Sequence, residues 1–313
     1  MADSASPKVS IIMPLYREWH FLDQAIASVK AQTYPNFECL CLDDGSPNEM
    51  PEKAKALTAD DPRFRVITFE NAGVAATRNR GLDLIQGDFV TFLDQDDCYH
   101  PRFLEEMLSA LQIHQADCAV CAFRKISGDD NFSHLQALPL DKKPIQEESN
   151  PLHWALTIHQ DIYNVWQKLY RRDSLCGLRF DPELLGSDDF LFTCASFARL
   201  NKVLFLPTEL YFYRKHATAV SRKRPLGFAF AQLNLLVKLA KLIPKQERRS
   251  FRALAYQKIF AVLRDYHLQP YSRGEHRELA LAIRDSLKKL GLSPWRWSLR
   301  KHFFYLRYWW FQR

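Results

Sequence analysis

Short apolar runs alternate with amphipathic stretches through the first two thirds of the chain. Four runs rich in Val, Ile, Leu and Phe lack a two-residue period, which predicts strands buried on both faces, at residues 9–14, 37–42, 65–69 and 88–93. Helical spacing of apolar positions predicts helices over residues 21–32, 51–58, 74–86 and 101–114. Strands that alternate with helices predict an α/β fold, in which helices cover both faces of a mostly parallel sheet.

The pattern changes towards the C-terminus. Further strands are predicted at residues 117–123, 203–205 and 210–213. The polar stretch 127–150 has no clear period, and we interpret it as a mobile loop over a ligand cleft. After it, only helices are predicted from Leu226 onwards, over residues 226–243, 247–268, 274–290 and 295–311. We therefore divide the chain into an α/β domain, residues 1–221, and a helical C-terminal region, residues 222–313.

The net charge of +7 conceals a strong asymmetry. Residues 222–313 hold 21 Lys and Arg against 5 Asp and Glu, whereas residues 1–221 hold 22 against 31. An acidic first part would need a cation to hold an anionic substrate, and a basic second part favours an anionic surface.

The sequence favours a cytoplasmic location. It contains no run of eighteen apolar residues, and its first residues lack the layout of a signal peptide. The seven cysteines are an odd number scattered through apolar stretches, which agrees with a reducing compartment. Cys118 and Cys121 have the spacing of a redox or zinc pair, but they lie in an apolar run without a second pair, which favours a buried strand.

The fourth predicted strand ends in a cluster of carboxylates, Asp94, Asp96 and Asp97. Like charges this close require a bound cation, protonation of one acid, or full solvation. Mg²⁺ and Mn²⁺ prefer oxygen ligands, often one or two carboxylates completed by water and substrate phosphate. The alternative is a polar turn that caps the next helix. The cluster therefore indicates either a metal–diphosphate site or an ordinary turn.

Other polar residues follow the neighbouring predicted strands. Tyr16 follows the first strand, Asp43 and Asp44 follow the second, and residues 70–73 follow the third. Because ligands bind beyond the carboxyl ends of parallel strands, we expect these residues to line one site with the acidic cluster. A second acidic pair, Asp188 and Asp189, opens a predicted helix, where it could act in catalysis or only cap the helix.

Four segments resemble, in order, the signature of family-2 inverting glycosyltransferases with the GT-A fold: residues 9–16, 42–46, 73–81 and 92–97. The resemblance covers residues 8 to about 221, so residues 1–221 would form the nucleotide-sugar-binding and catalytic domain. The Gln-x-x-Arg-Trp motif of processive synthases is absent, which implies a bacterial, non-processive enzyme that adds one sugar.

The resemblance implies roles for individual residues. Tyr16 and Pro14 would line the base pocket, Asp44 would accept a hydrogen bond from the base, and the donor-binding set as a whole would be Pro14, Tyr16, Asp44, Arg78, Asp94 and Gln95. Asp96 would bind Mn²⁺ or Mg²⁺ directly, with Asp94 and His216 as further members of the metal site. The cation would neutralise the leaving diphosphate.

The resemblance also implies the groups that act on the acceptor. An inverting displacement needs one general base, and the family's Glu-Asp pair matches Asp188-Asp189, so Asp189 is the candidate and Asp188 the runner-up. Lys168 would lie on the acceptor side. Arg214 and His216 would close on the diphosphate.

The last segment, residues 295–313, combines five basic residues with many Trp, Tyr and Phe and contains no acid. This composition suits a membrane interface, whereas the alternatives are a helix packed on the catalytic domain or a homodimer contact. No nucleic-acid-binding motif accompanies it, so nucleic acid is not an expected partner. A lipid-linked acceptor at the inner membrane face would explain why a cytoplasmic enzyme carries such a segment.

The first functional hypothesis is therefore a metal-dependent inverting glycosyltransferase. It would move one sugar, from a UDP-sugar, to a saccharide or lipid-linked acceptor in surface polysaccharide or glycolipid synthesis. A second is a nucleotidyltransferase, although residues 15–19 are not the Gly-rich basic loop that such enzymes usually carry. A third is a catalytically silent, membrane-docked scaffold of a glycan-assembly complex.

Overall fold

A computed structural model describes residues 6–17, 20–157, 162–184, 186–216, 226–267 and 272–292. The chain divides into two compact units, Met1–Arg224 and Pro225–Arg313, which are treated separately below. Within the described ranges, no helix combines the length and apolar character needed to cross a membrane.

The first unit is built on one mixed sheet. Its strand order is β3-β2-β1-β4-β8-β6-β9-β5, with β7 paired to β9. The strands are β1 (Val9–Leu15), β2 (Phe37–Asp43), β3 (Phe64–Thr68), β4 (Phe89–Phe92), β5 (Cys98–Tyr99), β6 (Cys118–Ser127), β7 (Gln146–Glu148), β8 (Lys168–Arg171) and β9 (Val203–Lys215). Most paired residues lie in parallel ladders, and β8 runs antiparallel to β4 and β6. The predicted α/β class is confirmed.

Helices follow the strands along the chain in the predicted alternation. They are α1 (Leu22–Lys30), α2 (Met50–Thr58), α3 (Val74–Leu84), α4 (Phe103–His114), α5 (Phe132–Leu135), α6 (Pro151–Thr157) and α7 (Asp188–Phe197). The apolar faces of α1 and α4 pack with β1 and β2 in one buried core. Burial of these side chains on both faces explains why the strands lack a polar period.

The order of the strands brings together the three turns that follow β1, β2 and β4, at the carboxyl ends of these strands. β1 is the central strand, with β2 and β4 parallel on either side. Leu15 at the end of β1 is opposite Asp43 at the end of β2, and Ile12 is opposite Phe92 at the end of β4. The polar residues that follow these strands are therefore neighbours in space, as expected for a ligand-binding edge.

Two glycines allow the close packing at this edge. A Cβ at Gly81 would come within 2.7 Å of the Ile12 side chain, so glycine lets α3 pack against β1. Gly45 has a φ of +66°, and a Cβ there would lie 2.8 Å from the Asn71 amide nitrogen. The first glycine sets the position of α3, and the second lets the turn after β2 meet the loop after β3.

The structure differs from the sequence predictions in several segments of the first unit, and β5, α6 and β8 were not predicted at all. The two short strands expected within residues 203–213 are one long strand, β9, which follows β6 through register shifts after Cys121. The stretch 127–150, interpreted as a loop, contains α5 and β7. Phe132 and Leu135 of α5 are buried, but an apolar pair this short leaves no detectable period. Cys118 and Cys121 lie buried and unbridged in β6, as predicted.

The second unit contains three predicted helices, α8 (Leu226–Leu242), α9 (Arg248–His267) and α10 (Arg273–Lys289). α8 contacts both of the others, through buried side chains that include Leu236, Ile259 and Ile283. A capping box formed by Ser272 and Glu275 begins α10. The segment 295–313 lies outside the described residues.

Candidate active site

The candidate site lies at the carboxyl ends of β1, β2 and β4, next to the start of α7. The acidic turn, residues 94–97, directly follows β4, and α7 begins at Asp188. Asn79 of α3 holds this start in place, because its side-chain amide donates to Phe180 O (2.9 Å) and accepts from Phe180 N (2.8 Å). The segment that leads to α7 is thus fixed against α3, although the two are far apart in sequence.

One buried cation joins three carboxylates across the site. Arg78 Nη1 donates to Asp189 Oδ1 at 2.6 Å and lies 3.4 Å from Asp188 Oδ2, while Nη2 donates to Asp94 Oδ1 at 2.9 Å. The Arg78 guanidinium also lies over the ring of Phe180, 5.5 Å from its centroid. Arg78 thereby brings the predicted base pair and the predicted donor-side acid to one point.

Asp188 and Asp189, beside Arg78, have raised pKa values, so they hold protons more strongly than exposed acids do. Burial raises the pKa of Asp188 to about 7, with a further contribution from Asp189, against the opposing effect of Arg78. Burial also raises the pKa of Asp189, while Arg78 lowers it and Asp94 raises it. Asp189 Oδ2 accepts a long hydrogen bond of 3.5 Å from Val165 N. A raised pKa makes a carboxylate a better proton acceptor at cellular pH.

Asp96 and His216 form the second polar cluster. His216 Nε2 lies 2.8 Å from Asp96 Oδ2, and the His216 ring contacts the Phe21 ring at a centroid distance of 5.1 Å. Burial and the neighbouring Asp94 raise the pKa of Asp96, while His216 lowers it. The structure therefore concentrates negative charge on the side of the turn that holds Asp94 and Asp96.

The residues present fit a divalent cation. The side chains of Asp94 and Asp96 are 30% and 28% exposed, so their oxygens are reachable from solvent. Within the described ranges, no three His, Cys, Asp or Glu side chains already form a closed metal cluster. Two hard oxygen ligands with open positions are the arrangement expected where substrate phosphate and water complete the shell of Mg²⁺ or Mn²⁺.

Two residues of the acidic turn tie it to the rest of the sheet. Gln95 Oε1 accepts from Tyr16 N at 2.7 Å, and Gln95 Nε2 donates to Tyr16 O at 2.9 Å. Asp97 is buried and accepts hydrogen bonds from Tyr211 Oη and Arg214 N, both at 2.7 Å. Gln95 links the turn to the end of β1, and Asp97 links it to β9.

Asp44 already has hydrogen-bond partners on both oxygens. Oδ1 accepts from Ala72 N at 2.9 Å, and Oδ2 accepts from Gly73 N at 2.8 Å and Asn71 Nδ2 at 3.2 Å. Arg80 Nη1 lies 3.5 Å from Oδ1. A carboxylate has about four lone-pair sites, so a nucleotide base would have to replace one of these donors. The half-buried Tyr16 ring, with the Arg17 guanidinium 4.7 Å from its centroid, lies at the same edge as half-buried Pro14.

Arg214 does not match the predicted contact with a diphosphate. It is buried, and its Nε donates to Asp96 O at 3.0 Å. Its Nη1 donates to Ser127 O at 3.0 Å and Asp130 O at 2.8 Å, and its Nη2 donates to Gln24 Oε1 at 3.1 Å. Because every nitrogen of this guanidinium already donates a hydrogen bond within the protein, Arg214 stabilises the acidic turn and does not face a substrate.

Lys168 does not match the predicted contact with an acceptor. It is fully buried in β8, and its Nζ donates to Ile162 O at 2.7 Å and to Asn164 O. Burial lowers the pKa of Lys168 to about 8. Lys168 holds the loop whose Val165 N–H reaches Asp189, so it acts on the site through that loop.

Sequence reasoning missed Asn79, Arg80, Val165 and Gln24. Asn79 and Arg80 stand inside the segment 73–81, next to Arg78, so the motif itself carried their signal. Val165 acts through its backbone N–H, and Gln24 through a contact far along the chain; neither leaves a trace in local sequence.

The fold is that of the GT-A glycosyltransferases. The structure of S. aureus TarS 1-349 in complex with UDP-GlcNAc is similar, with a TM-score of 0.72, 18% identity, and coverage of 90% of this chain and 81% of that one. Mannosyltransferase PcManGT from Pyrobaculum calidifontis, in complex with GDP-Man and Mn²⁺, has a TM-score of 0.56 and 18% identity, covering 91% of this chain and 81% of that one.

The chain belongs to glycosyl transferase family 2, whose family model matches residues 10–175. The uncharacterized glycosyltransferase EpsJ of Bacillus subtilis is 29% identical over 221 residues, which cover 69% of this chain and 63% of EpsJ. Succinoglycan biosynthesis protein ExoW of Rhizobium meliloti is 33% identical over 202 residues, which cover 60% of this chain and 62% of ExoW. The chain thus spans less than two thirds of the length of these relatives.

Proposed function

We propose that this chain is a metal-dependent, inverting glycosyltransferase that moves one sugar from a UDP-sugar to a saccharide or lipid-linked acceptor. The observation that carries the proposal is the position of Arg78, which holds Asp189 and Asp94 on one guanidinium. Proton removal from the acceptor and departure of the nucleotide diphosphate must occur on opposite sides of one sugar carbon. The base and the donor-side acid must therefore both lie close to that carbon. Asp189 and Asp94 lie close together because they bind the same guanidinium.

The donor binds at the edge formed by β1, β2 and β4. Tyr16 and Pro14 line the base pocket. Asp44 either accepts a hydrogen bond from the base or shapes the pocket by accepting hydrogen bonds from the loop at residues 71–73. The TarS complex with UDP-GlcNAc supports a uridine donor, and the relationship of this chain to family 2 supports a nucleotide sugar in general. Gln95 joins this pocket to the acidic turn.

Asp94 and Asp96 hold the cation, with His216 orienting Asp96. The Mn²⁺ in the PcManGT complex supports a divalent metal in this class of site. When bound, the metal neutralises charge that develops on the diphosphate as it leaves. Burial, and after it the neighbouring Asp94, raises the pKa of Asp96, and a bound cation would favour its charged form.

Asp189 is the general base. It takes the proton from the acceptor hydroxyl as that oxygen attacks the sugar carbon opposite the diphosphate, which inverts the configuration. Arg78 fixes the Asp189 carboxylate through Oδ1, and Oδ2 has only the long contact with Val165 N. Oδ2 is therefore the oxygen that receives the proton. Asp188 is more deeply buried and supports the charge balance around Arg78.

The acceptor belongs to surface polysaccharide or glycolipid assembly. ExoW is named for succinoglycan biosynthesis, which supports a saccharide acceptor. The basic, aromatic segment 295–313 lies outside the described residues, and we propose on its composition that it contacts the membrane where a lipid-linked acceptor is displayed.

Thermal unfolding of the purified chain tests the donor and the metal together. We expect UDP-sugars to raise Tm clearly in Mn²⁺ and only weakly in chelator, because the diphosphate and the cation bind as a unit. Asp96→Asn should remove the effect of Mn²⁺, and Asp129→Asn, an exposed acid outside the site, should retain it. A shift independent of the metal would contradict the proposal, and no shift with any nucleotide sugar would favour a scaffold without catalytic activity.

A further inference from the structure

The junction of α8 and α9 presents a basic surface. We define the α8–α9 corner as residues 241–252. Its exposed neutral side chains include Leu242 and Gln246, and its exposed basic side chains are Lys241, Lys245, Arg248, Arg249 and Arg252. Its one acid, Glu247, is buried at 5% exposure. Among the described residues, no acidic side chain forms an ion pair with any of the five cations. The corner thus shows solvent a surface of a single sign.

The corner is anchored from below, so its cations point outwards. Ile243, Glu247 and Phe251 are buried between the basic positions. Such spacing holds the backbone while Lys245, Arg248 and Arg252 remain exposed. The exposed basic side chains are therefore part of a packed helical junction.

The start of α9 departs from the usual charge preference of helices. Arg248 and Arg249 occupy its first turn, which contains no acid. Basic side chains there face the positive end of the helix dipole, where acids are favoured. A charge pattern that opposes local stability is expected where it serves an interaction, and an anion at this place would meet the basic side chains.

An apolar side chain stands among these cations. Leu242 is 42% exposed and directly follows Lys241. A lipid bilayer offers both anionic headgroups and an apolar phase, whereas a soluble polyanion offers only charge. The exposed face of α10 is different, because Arg277 adjoins Glu278 and Arg284 adjoins Asp285. This face also exposes an apolar side chain, Leu281 at 47%, so it differs from the corner in its alternating charge signs and not in apolar exposure.

We propose that the α8–α9 corner docks the enzyme on an anionic lipid bilayer, with Lys241, Arg248 and Arg249 against phosphate headgroups and Leu242 in the interface. The inference uses residues separate from the segment 295–313. It also does not depend on the proposed glycosyl transfer, because docking is measured without donor or acceptor.

Sedimentation of the full chain with vesicles tests this docking. We expect binding to vesicles that contain phosphatidylglycerol and little binding to pure phosphatidylcholine. The triple variant K241Q/R248Q/R249Q should lose about fivefold in partition per side chain, roughly a hundredfold in all. The control R277Q/R284Q/K288Q removes the same charge from exposed positions of α10 and should lose only a few-fold. Equal losses in the two variants would overturn the proposal, as would wild-type binding by the first.

Leu242 separates a membrane from a soluble polyanion. Leu242→Gln should weaken vesicle binding several-fold and leave binding to inorganic polyphosphate unchanged, because only the bilayer receives the apolar side chain. If Leu242→Gln has no effect on vesicles and polyphosphate competes completely, the corner is a polyanion site and the lipid assignment fails. Tm of each variant checks folding, and Mn²⁺-dependent stabilisation by UDP-sugars, measured on the same proteins, reports separately on the proposed function.

Discussion

Two buried arginines flank the acidic turn, and they do different work. Arg78 faces side chains, with carboxylate oxygens of Asp94, Asp188 and Asp189 around its guanidinium. Arg214 faces backbone, with the carbonyls of Asp96, Ser127 and Asp130 as partners. Both stood in the sequence as candidate substrate contacts.

The identity of the partners separates a reactive group from a brace. Of the carboxylates beside Arg78, Asp188 and Asp189 have raised pKa values, and the charge of Asp189 contributes to the shift of Asp188. Carbonyls held by Arg214 do not titrate, so they can only fix positions. Lys168 belongs with Arg214, because its ammonium also holds backbone carbonyls. We therefore expect changes on the Arg78 side to alter turnover, and changes on the other side to alter stability.

The largest expected effect is that of Asp189→Asn on turnover. The amide keeps the shape and can still accept from Arg78, but it cannot take a proton, so we expect kcat to fall by about 10²–10⁴-fold. Donor affinity, measured by calorimetry with a UDP-sugar and Mn²⁺, should remain. Asp188→Asn is the matched control, with a smaller loss. If Asp188→Asn has the greater effect, Asp188 is the base.

Lys168→Met should change how stability depends on pH. Burial lowers the pKa of Lys168 from its ordinary value of 10.5 to about 8. Between those values the unfolded chain binds the proton and the folded chain does not, so wild-type stability rises with pH across this window. Relative to Lys168→Met, the free energy of unfolding should gain about 3 kcal/mol. Urea unfolding between pH 7 and pH 10.5 measures it, and a constant difference would contradict the burial of a charged lysine.

The smallest of the three expected effects is a loss of stability in Arg214→Lys. Lysine keeps the charge but cannot reach all the carbonyls, so we expect a loss of about 2 kcal/mol in the free energy of unfolding. Arg124→Lys, at an exposed pair with Glu209, should cost less than about 0.5 kcal/mol. If Arg214→Lys instead raises the KM for the donor at unchanged Tm, Arg214 contacts substrate and the contrast with Arg78 fails.

The fold was largely predictable because its strands are buried on both faces. Continuous apolar runs identified β1, β2, β3 and β4, and their alternation with helices predicted the parallel half of the sheet. α5 and β7 were missed, since α5 buries only two side chains and β7 consists of three polar residues that are exposed or half-buried. Contacts with residues distant in sequence stabilise these two elements, and such contacts cannot be predicted from the local pattern of apolar and polar residues.

The candidate site was predictable in composition but not in detail. Strand ends located Asp94 and Asp96, and the helix start located Asp189. Lys168 and Arg214 are buried, and the sequence did not predict this because charged side chains are usually exposed. Their partners are carbonyls of residues 127–130 and 162–164, brought near only by the folded sheet.

The paired hydrogen bonds between Gln95 and Tyr16 have a consequence for how the donor is recognised. These bonds connect two turns, so the proposed base pocket at Tyr16 cannot shift without moving the proposed cation site in the acidic turn. Affinity for the two ends of the donor should therefore be coupled: uridine alone and diphosphate alone should each bind more weakly than their shares of the intact nucleotide. An incorrect base would therefore displace the acidic turn. The enzyme would then select among donors partly through how well each one allows the cation to bind.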